Sequence, residues 1–212
     1  MGYPGESVFE QKHRLRIELR SRLASFPPEQ RRAESQAICS WIVANDAWQR
    51  SRTVLLFAPL QTEPDVSPLW ELALRRGKIL TLPRYDATRD CYVPAVVPDP
   101  NRDLRPGLYG VREPRPELPL VPWEALDLLV LPGLAFDLQG RRLGRGGGHY
   151  DRILQLARGL RCGVAFTCQL LEQVPTEPGD MPVQVLVTLN GWMELGSNRS
   201  RHFQTNPPPR TT

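Results

Sequence analysis

Lysine is almost absent from this chain of 212 residues: only Lys12 and Lys78 occur. Arginine carries the remaining positive charge, a compositional bias that by itself names no partner. Cysteine is sparse as well. Cys39, Cys91, Cys162 and Cys168 are scattered, and no pair has C-x-x-C spacing, which argues against a zinc site or a dithiol redox motif. Aromatic residues make up 8% of the chain. An RNA-binding surface interleaves aromatic with basic side chains, so this low share argues against one. No apolar run approaches the ~20 residues that a membrane-spanning helix needs. The first 22 residues are polar, without an apolar stretch of signal-peptide type. The expectation is a cytoplasmic protein with no membrane and no nucleic-acid partner.

What is present suits one compact domain. Hydrophobic residues make up 41% of the sequence, enough for a sizeable core. The formal net charge of +4 permits an anionic ligand such as a nucleotide phosphate. Leu15, Leu19 and Leu23 recur every four residues, which predicts a helix over 10–26 that ends at Pro27 and Pro28. Ala33, Ala37, Ile38, Trp41 and Ile42 predict a second helix to Ala44. The period then changes. Residues 53–58 form a short continuous apolar run, as expected of a parallel strand buried on both faces. A helix over 67–76 closed by Gly77, and a strand over 79–82, follow. The proline-rich stretch 86–122 reads as irregular, with a short strand near 92–97. Further strands are predicted at 126–131, 162–166 and 183–188, with a helix over 150–158. Strands alternating with helices imply an α/β fold: one domain, a mostly parallel sheet with helices on both faces in a three-layer, Rossmann-like arrangement, and a helical N-terminus. The domain is expected over 1–195, followed by a disordered, proline-rich tail over 196–212.

One segment carries chemistry. Gly144, Gly146, Gly147 and Gly148 crowd around Arg145 after the 126–131 strand, and a predicted helix follows them. Ligands of open α/β sheets bind outside the carboxyl ends of the strands. Glycines let backbone N–H groups approach an anion, a helix N-terminus adds partial positive charge, and Arg142 and Arg145 offer bidentate donors. The spacing is neither G-x-x-x-x-G-K-[ST] nor G-x-G-x-x-G. On physics alone, an anion cradle and a plain surface loop both remain open.

The residues themselves go further. Segment 132–137, then Gly140, then segment 142–152 with its Arg-Leu-Gly-Arg-Gly-Gly-Gly-His-Tyr-Asp-Arg run, resembles the signature of the 5-formyltetrahydrofolate cyclo-ligases, also called methenyltetrahydrofolate synthetases. Lys12 to Arg16 resembles the family's N-terminal Lys-x-x-Leu-Arg. Segments 61–65, 82–85, 107–114 and 174–181 resemble further family segments in the same order. The resemblance covers roughly residues 12–189 and implies ATP-dependent conversion of 5-formyltetrahydrofolate to 5,10-methenyltetrahydrofolate.

By that resemblance, Lys12, Arg16, Arg142, Gly144, Arg145, Gly146, Gly147, Gly148 and Tyr150 bind ATP, with Arg145 the catalytic residue. Glu63, Tyr109 and His149 face the folate. Asp151 and Asp180 hold Mg²⁺. The enzyme is expected to be a monomer acting on a small-molecule substrate. Two positions depart from the family pattern: His149 stands where the family has tyrosine, and Gln184 where it has an acidic residue. These departures keep open a paralogue that uses the same ATP-binding scaffold for another folate- or thiamine-related substrate.

Overall fold

The structure, a computed structural model, describes residues 6–107, 110–148, 150, 154–196 and 203–204. Its first helix, α1 (Val8–Ser25), begins at Ser7, whose hydroxyl accepts from the Glu10 N–H while the Glu10 carboxylate accepts from the Ser7 N–H. This reciprocal cap satisfies two otherwise orphaned donors. Helix α2 (Pro28–Ala44) has proline in its first turn, where the missing N–H costs nothing. A five-residue helix absent from the sequence reading, α3 (Asp46–Arg50), is capped by the Asn45 side chain on the Ala47 N–H. Helix α4 (Pro68–Arg75) ends before Gly77, which takes φ +67°, the left-handed conformation that glycine adopts cheaply.

The main sheet contains β1 (Thr53–Leu55), β2 (Ile79–Asp86), β3 (Cys91–Val96), β6 (Leu128–Leu131), β9 (Leu160–Val164), β10 (Val185–Thr188), β11 (Gly191–Glu194) and β12 (Phe203–Gln204). Their spatial order is β12-β11-β10-β9-β6-β1-β2-β3. The five strands from β10 to β2 are mutually parallel, and antiparallel strands close both edges. The mostly parallel sheet is therefore as expected. One edge is as expected in part: segment 86–122, read as irregular with a short strand near 92–97, holds that strand as β3 and, beyond the expectation, a two-stranded ribbon, β4 (Leu104–Pro106) with β5 (Arg112–Pro114). At the other edge, β11 returns on β10 by a tight turn at Leu189-Asn190, and β12 falls inside the tail expected to be disordered.

Side chains of the central strands alternate between two faces, and both faces are buried. Val54, Leu56, Leu128, Val130, Val185 and Val187 face α2, α3 and α4 in one core. Leu55, Leu129, Leu131 and Leu186 face the opposite side, beneath Trp123, Phe136, Leu154 and Ala157. That second layer is thinner in helix than the sequence suggested. Tyr150 and Leu154 are helical, but the chain turns at Gln155 and Leu156, short of the expected end; residues 151–153 lie outside those described. A third cluster fixes α1. Leu19 and Leu23 pack on Leu134, Ala135, Leu143, Phe166 and Val174. The helix thereby sits against a second ribbon, β7 (Ala135–Phe136) with β8 (Arg142–Leu143), just beyond the carboxyl end of β6. No helix among the described residues is long and apolar enough to cross a membrane.

Candidate active site

The carboxyl ends of β1, β2 and β6 open into a cavity of about 750 Å³. Phe57, Pro132 and Gly133 line it just beyond β1 and β6, and Pro83 lines it from within β2. Parallel sheets place ligands at this end because the βα loops diverge there and leave a crevice.

Helix α1 forms a second wall. Lys12 shares the buried stripe of that helix with Leu15, Leu19 and Leu23, at positions the helical period reserves for apolar residues. It is 5% exposed. Its Nζ donates to Asp180 Oδ2 at 2.6 Å and to Glu177 Oε2 at 2.8 Å. Burial alone would lower the affinity of this amine for its proton, but the hydrogen bonds from Asp180 and Glu177 outweigh it and raise the pKa above the ordinary lysine value. Lys12 is therefore firmly cationic. One and two turns later, Arg16 Nε donates to the Gly144 carbonyl at 3.1 Å and Arg20 Nη2 to the Arg145 carbonyl at 3.1 Å. These two arginines fasten the glycine loop to α1.

The loop is shorter than its sequence signature. Arg142 and Leu143 belong to β8 and are buried; the chain becomes accessible from Gly144 onward. Gly146 takes φ +111° and Gly148 φ +64°, both in the region that side chains avoid. A Cβ on Gly146 would only touch the Arg16 guanidinium, at 3.5 Å, so the backbone conformation and not space is what calls for glycine there. Arg142 lies 5.4 Å from the centroid of the Tyr150 ring and donates to the Pro132 carbonyl at 3.4 Å. Burial, then the nearby Glu63 charge, raises the Tyr150 pKa, so its hydroxyl stays protonated.

Across the cavity, Arg145 is held by the loop after β1. Its Nε and Nη2 both lie 2.9 Å from Glu63 Oε1, and Nη2 donates to Thr62 Oγ1 at 3.2 Å. The other Glu63 oxygen accepts from the Leu60 N–H at 3.0 Å. Glu63 is thus an anchor for Arg145, a contact that sequence reasoning did not anticipate.

Lys12, Arg16, Glu63, Arg142, Gly144 to Gly148, Tyr150 and Asp180 all border this one cavity, although up to 168 residues separate them in sequence. Tyr109, His149 and Asp151 lie outside the described residues. Arg20, Glu113 and Glu177 border the cavity too, and the sequence reading passed over them. Arg20 had a signal, since Lys12, Arg16 and Arg20 repeat at four-residue spacing. Among the described residues, no three His, Cys, Asp or Glu side chains gather as a metal cage. Asp180 and Glu177 do stand together, the Glu177 N–H donating to Asp180 Oδ2 at 2.9 Å.

Known proteins are similar to this chain over most of its length. The model of the 5-formyltetrahydrofolate cyclo-ligase family matches residues 8–189. The mouse 5-formyltetrahydrofolate cyclo-ligase is 31% identical over 193 residues, covering 84% of this chain and 93% of its own length. The enzyme of the same name from Escherichia coli K12 is 32% identical over 174 residues, covering 80% of this chain and 96% of its own. The solved structure of Aquifex aeolicus 5,10-methenyltetrahydrofolate synthetase superimposes with a TM-score of 0.78 at 35% identity, over 91% of this chain and 97% of that one.

Proposed function

The chain belongs to the 5-formyltetrahydrofolate cyclo-ligase family, and we propose that the cavity beneath α1 is where it brings ATP against its folate substrate. The activity that goes with this membership is ATP-dependent closure of 5-formyltetrahydrofolate to 5,10-methenyltetrahydrofolate. The observation that supports the cavity is the convergence of α1, the glycine loop, the loop after β1 and the 177–180 turn on one space.

The chemical problem is that the formyl group is an amide of N5, and its carbon is a poor electrophile. In our reading the γ-phosphoryl of ATP passes to the formyl oxygen. N10 then attacks the same carbon, and phosphate leaves with that oxygen as the ring closes. Such a reaction asks the protein for positioning and charge neutralisation rather than for a nucleophile of its own. Lys12, Arg16 and Arg142 offset the triphosphate charge, Gly144 and Gly146 to Gly148 give it backbone donors, and Tyr150 lines the nucleotide side. Arg145 stabilises the phosphoryl in transit, and Glu63 fixes the angle of its guanidinium while bordering the folate. Tyr109 and His149 complete the folate side.

Mg²⁺ is part of the proposal. It is commonly bound through one or two carboxylates plus substrate phosphates, not in an all-protein cage, and the Asp180–Glu177 pair suits that habit. Asp180 with Asp151 would hold it, and its charge, when bound, would help neutralise the polyphosphate. The reading takes the enzyme as a cytoplasmic monomer, its domain spanning 1–195.

The test is formation of methenyltetrahydrofolate, followed by absorbance with and without ATP. Arg145→Ala is expected to lower kcat by about 100- to 1,000-fold, the usual effect of losing one preorganised donor to transition-state charge. Near-parental turnover by that variant would sink the role of Arg145.

A further inference from the structure

Four carboxyl groups are buried among the described residues: Glu34, Glu63, Glu113 and Asp137. Three of them are fully engaged. Glu34 accepts from the Thr167 N–H and hydroxyl. Asp137 accepts from the N–H groups of Gln139, Arg141 and Val174 and from Arg141 Nε. Glu63 holds Arg145 with one oxygen and the Leu60 N–H with the other. Glu113 is the exception. It borders the catalytic cavity and is 5% exposed, yet its Oε1 has no hydrogen-bond partner. Its Oε2 receives only a long contact, 3.4 Å, from the Tyr85 N–H.

The fold makes room for this carboxyl. It rests against bare backbone at Gly107, where an added Cβ would lie 2.4 Å from Glu113 Cδ and 2.8 Å from Oε1. Buried polar groups without partners are rare in folded proteins, and one bordering a cavity calls for a donor on the ligand. The triphosphate of ATP carries acceptors and no donors. The amino-pyrimidine edge of adenine presents a donor beside an acceptor, a poor match for a carboxyl with two acceptors. The pterin ring has the complementary edge: its 2-amino group and N3–H are two parallel donors, arranged much as in a guanidinium. Phe57, Pro83, Tyr92 and Val111 border the same cavity and offer apolar surface to a planar ring.

We infer that Glu113 recognises the pterin by accepting from its 2-amino group and N3–H, and so sets the specificity of the folate side of the site. This rests on the folate reading above.

The experiment compares the parent, Glu113→Gln and Glu113→Asp with 5-formyltetrahydrofolate and with its 2-desamino analogue. Absence of turnover of the natural substrate by the parent would overturn the folate reading and this inference with it. Given turnover, Glu113→Gln is expected to raise KM for 5-formyltetrahydrofolate by at least about tenfold while KM for ATP stays within about threefold. The desamino analogue should lose roughly tenfold in affinity for the parent and be scarcely worse for Glu113→Gln than the natural substrate, because the lost partner is the same. A folate KM unchanged in Glu113→Gln would overturn the inference alone. Loss of ATP binding and thermal stability in both variants would make Glu113 a support of the β4–β5 ribbon, and would overturn it too.

Discussion

The chain has two lysines, both buried, and they live in different worlds. Lys78 stands between α4 and β2 at 8% exposure, its Nζ donating to the backbone carbonyls of Ser51, Trp48 and Gln49 at 2.5, 2.6 and 3.3 Å. Three donors meet three fixed acceptors at the carboxyl end of α3, where a cation also complements the helix dipole. No carboxylate bonds to it, and Asp127 acts on it only as a nearby charge. Lys12, at 5% exposure, instead faces two carboxylates that border a cavity. Its partners are side chains, able to turn toward other ligands, and they leave the cluster one negative charge in excess. Burial alone would class the two lysines together. What they bond to separates a structural cap from the group that we propose exchanges its partners for a polyphosphate.

The sharpest way to test that contrast is to remove each amine while keeping the stem. Lys12→Met should cost activity before stability. ATP-dependent turnover at low ATP is expected to fall about a hundredfold, in the range for loss of one charged donor at a phosphoryl-transfer site. The melting temperature should fall only a little, because Glu177 and Asp180 are 45% and 22% exposed and water can hydrate them once the ammonium is gone. A large drop in melting temperature with turnover per folded molecule intact would reverse the assignment.

Lys78→Met is the mirror experiment. It strands three carbonyls, and a buried acceptor left unsatisfied costs about 1–3 kcal/mol. Allowing for partial relaxation, a loss of about 2–3 kcal/mol lowers the melting temperature of a domain this size by roughly 5–10 °C. The kcat of the folded fraction should stay within about twofold. Calorimetry together with the absorbance assay measures both, and a catalytic defect without destabilisation would break the comparison.

Only one of these lysines was legible in the sequence. Lys12 is picked out by the resemblance of its Lys-x-x-Leu-Arg run to the family's, and only the fold shows it in line with Leu15, Leu19 and Leu23. Lys78 follows Gly77 in what reads as an ordinary turn, and nothing local announces that α3 ends above it. The same divide runs through the whole fold. Parallel strands such as β6 and β10 announce themselves because burial on both faces makes them continuously apolar. The antiparallel additions are harder to read: β3 shows as a short strand near 92–97, whereas β4 and β5 hide in the proline-rich stretch, three residues each and paired only with each other. One edge could have been read. Asn190-Gly191, following the apolar 185–188 run, is a turn signal, and its glycine opens β11. The site divides likewise. The glycine loop is visible as a loop, whereas Glu63 bonding Arg145 and the Glu113 oxygen left without a partner exist only once the loop after β1 and the β4–β5 ribbon have folded onto the cavity.

The smallest expected effect is also the most direct readout of the two environments. Asp180 and Glu177, overcoming burial, raise the Lys12 pKa above the ordinary 10.5. The stability that Lys12 contributes is therefore fully present below about pH 10.5 and is lost as pH climbs through the raised value. For Lys78, burial and then Arg76 lower the pKa below 10.5. There the folded state releases its proton first, so between that lowered value and 10.5 stability rises with pH. Melting temperatures of the parent and both methionine variants, scanned from neutral to alkaline pH, should therefore diverge in opposite senses. The gap between parent and Lys78→Met should widen as pH approaches the lysine range, and the gap to Lys12→Met should close above it. Gaps that moved together would mean that the two ammonium groups sit in equivalent surroundings, and the distinction between cap and exchangeable ligand would fall.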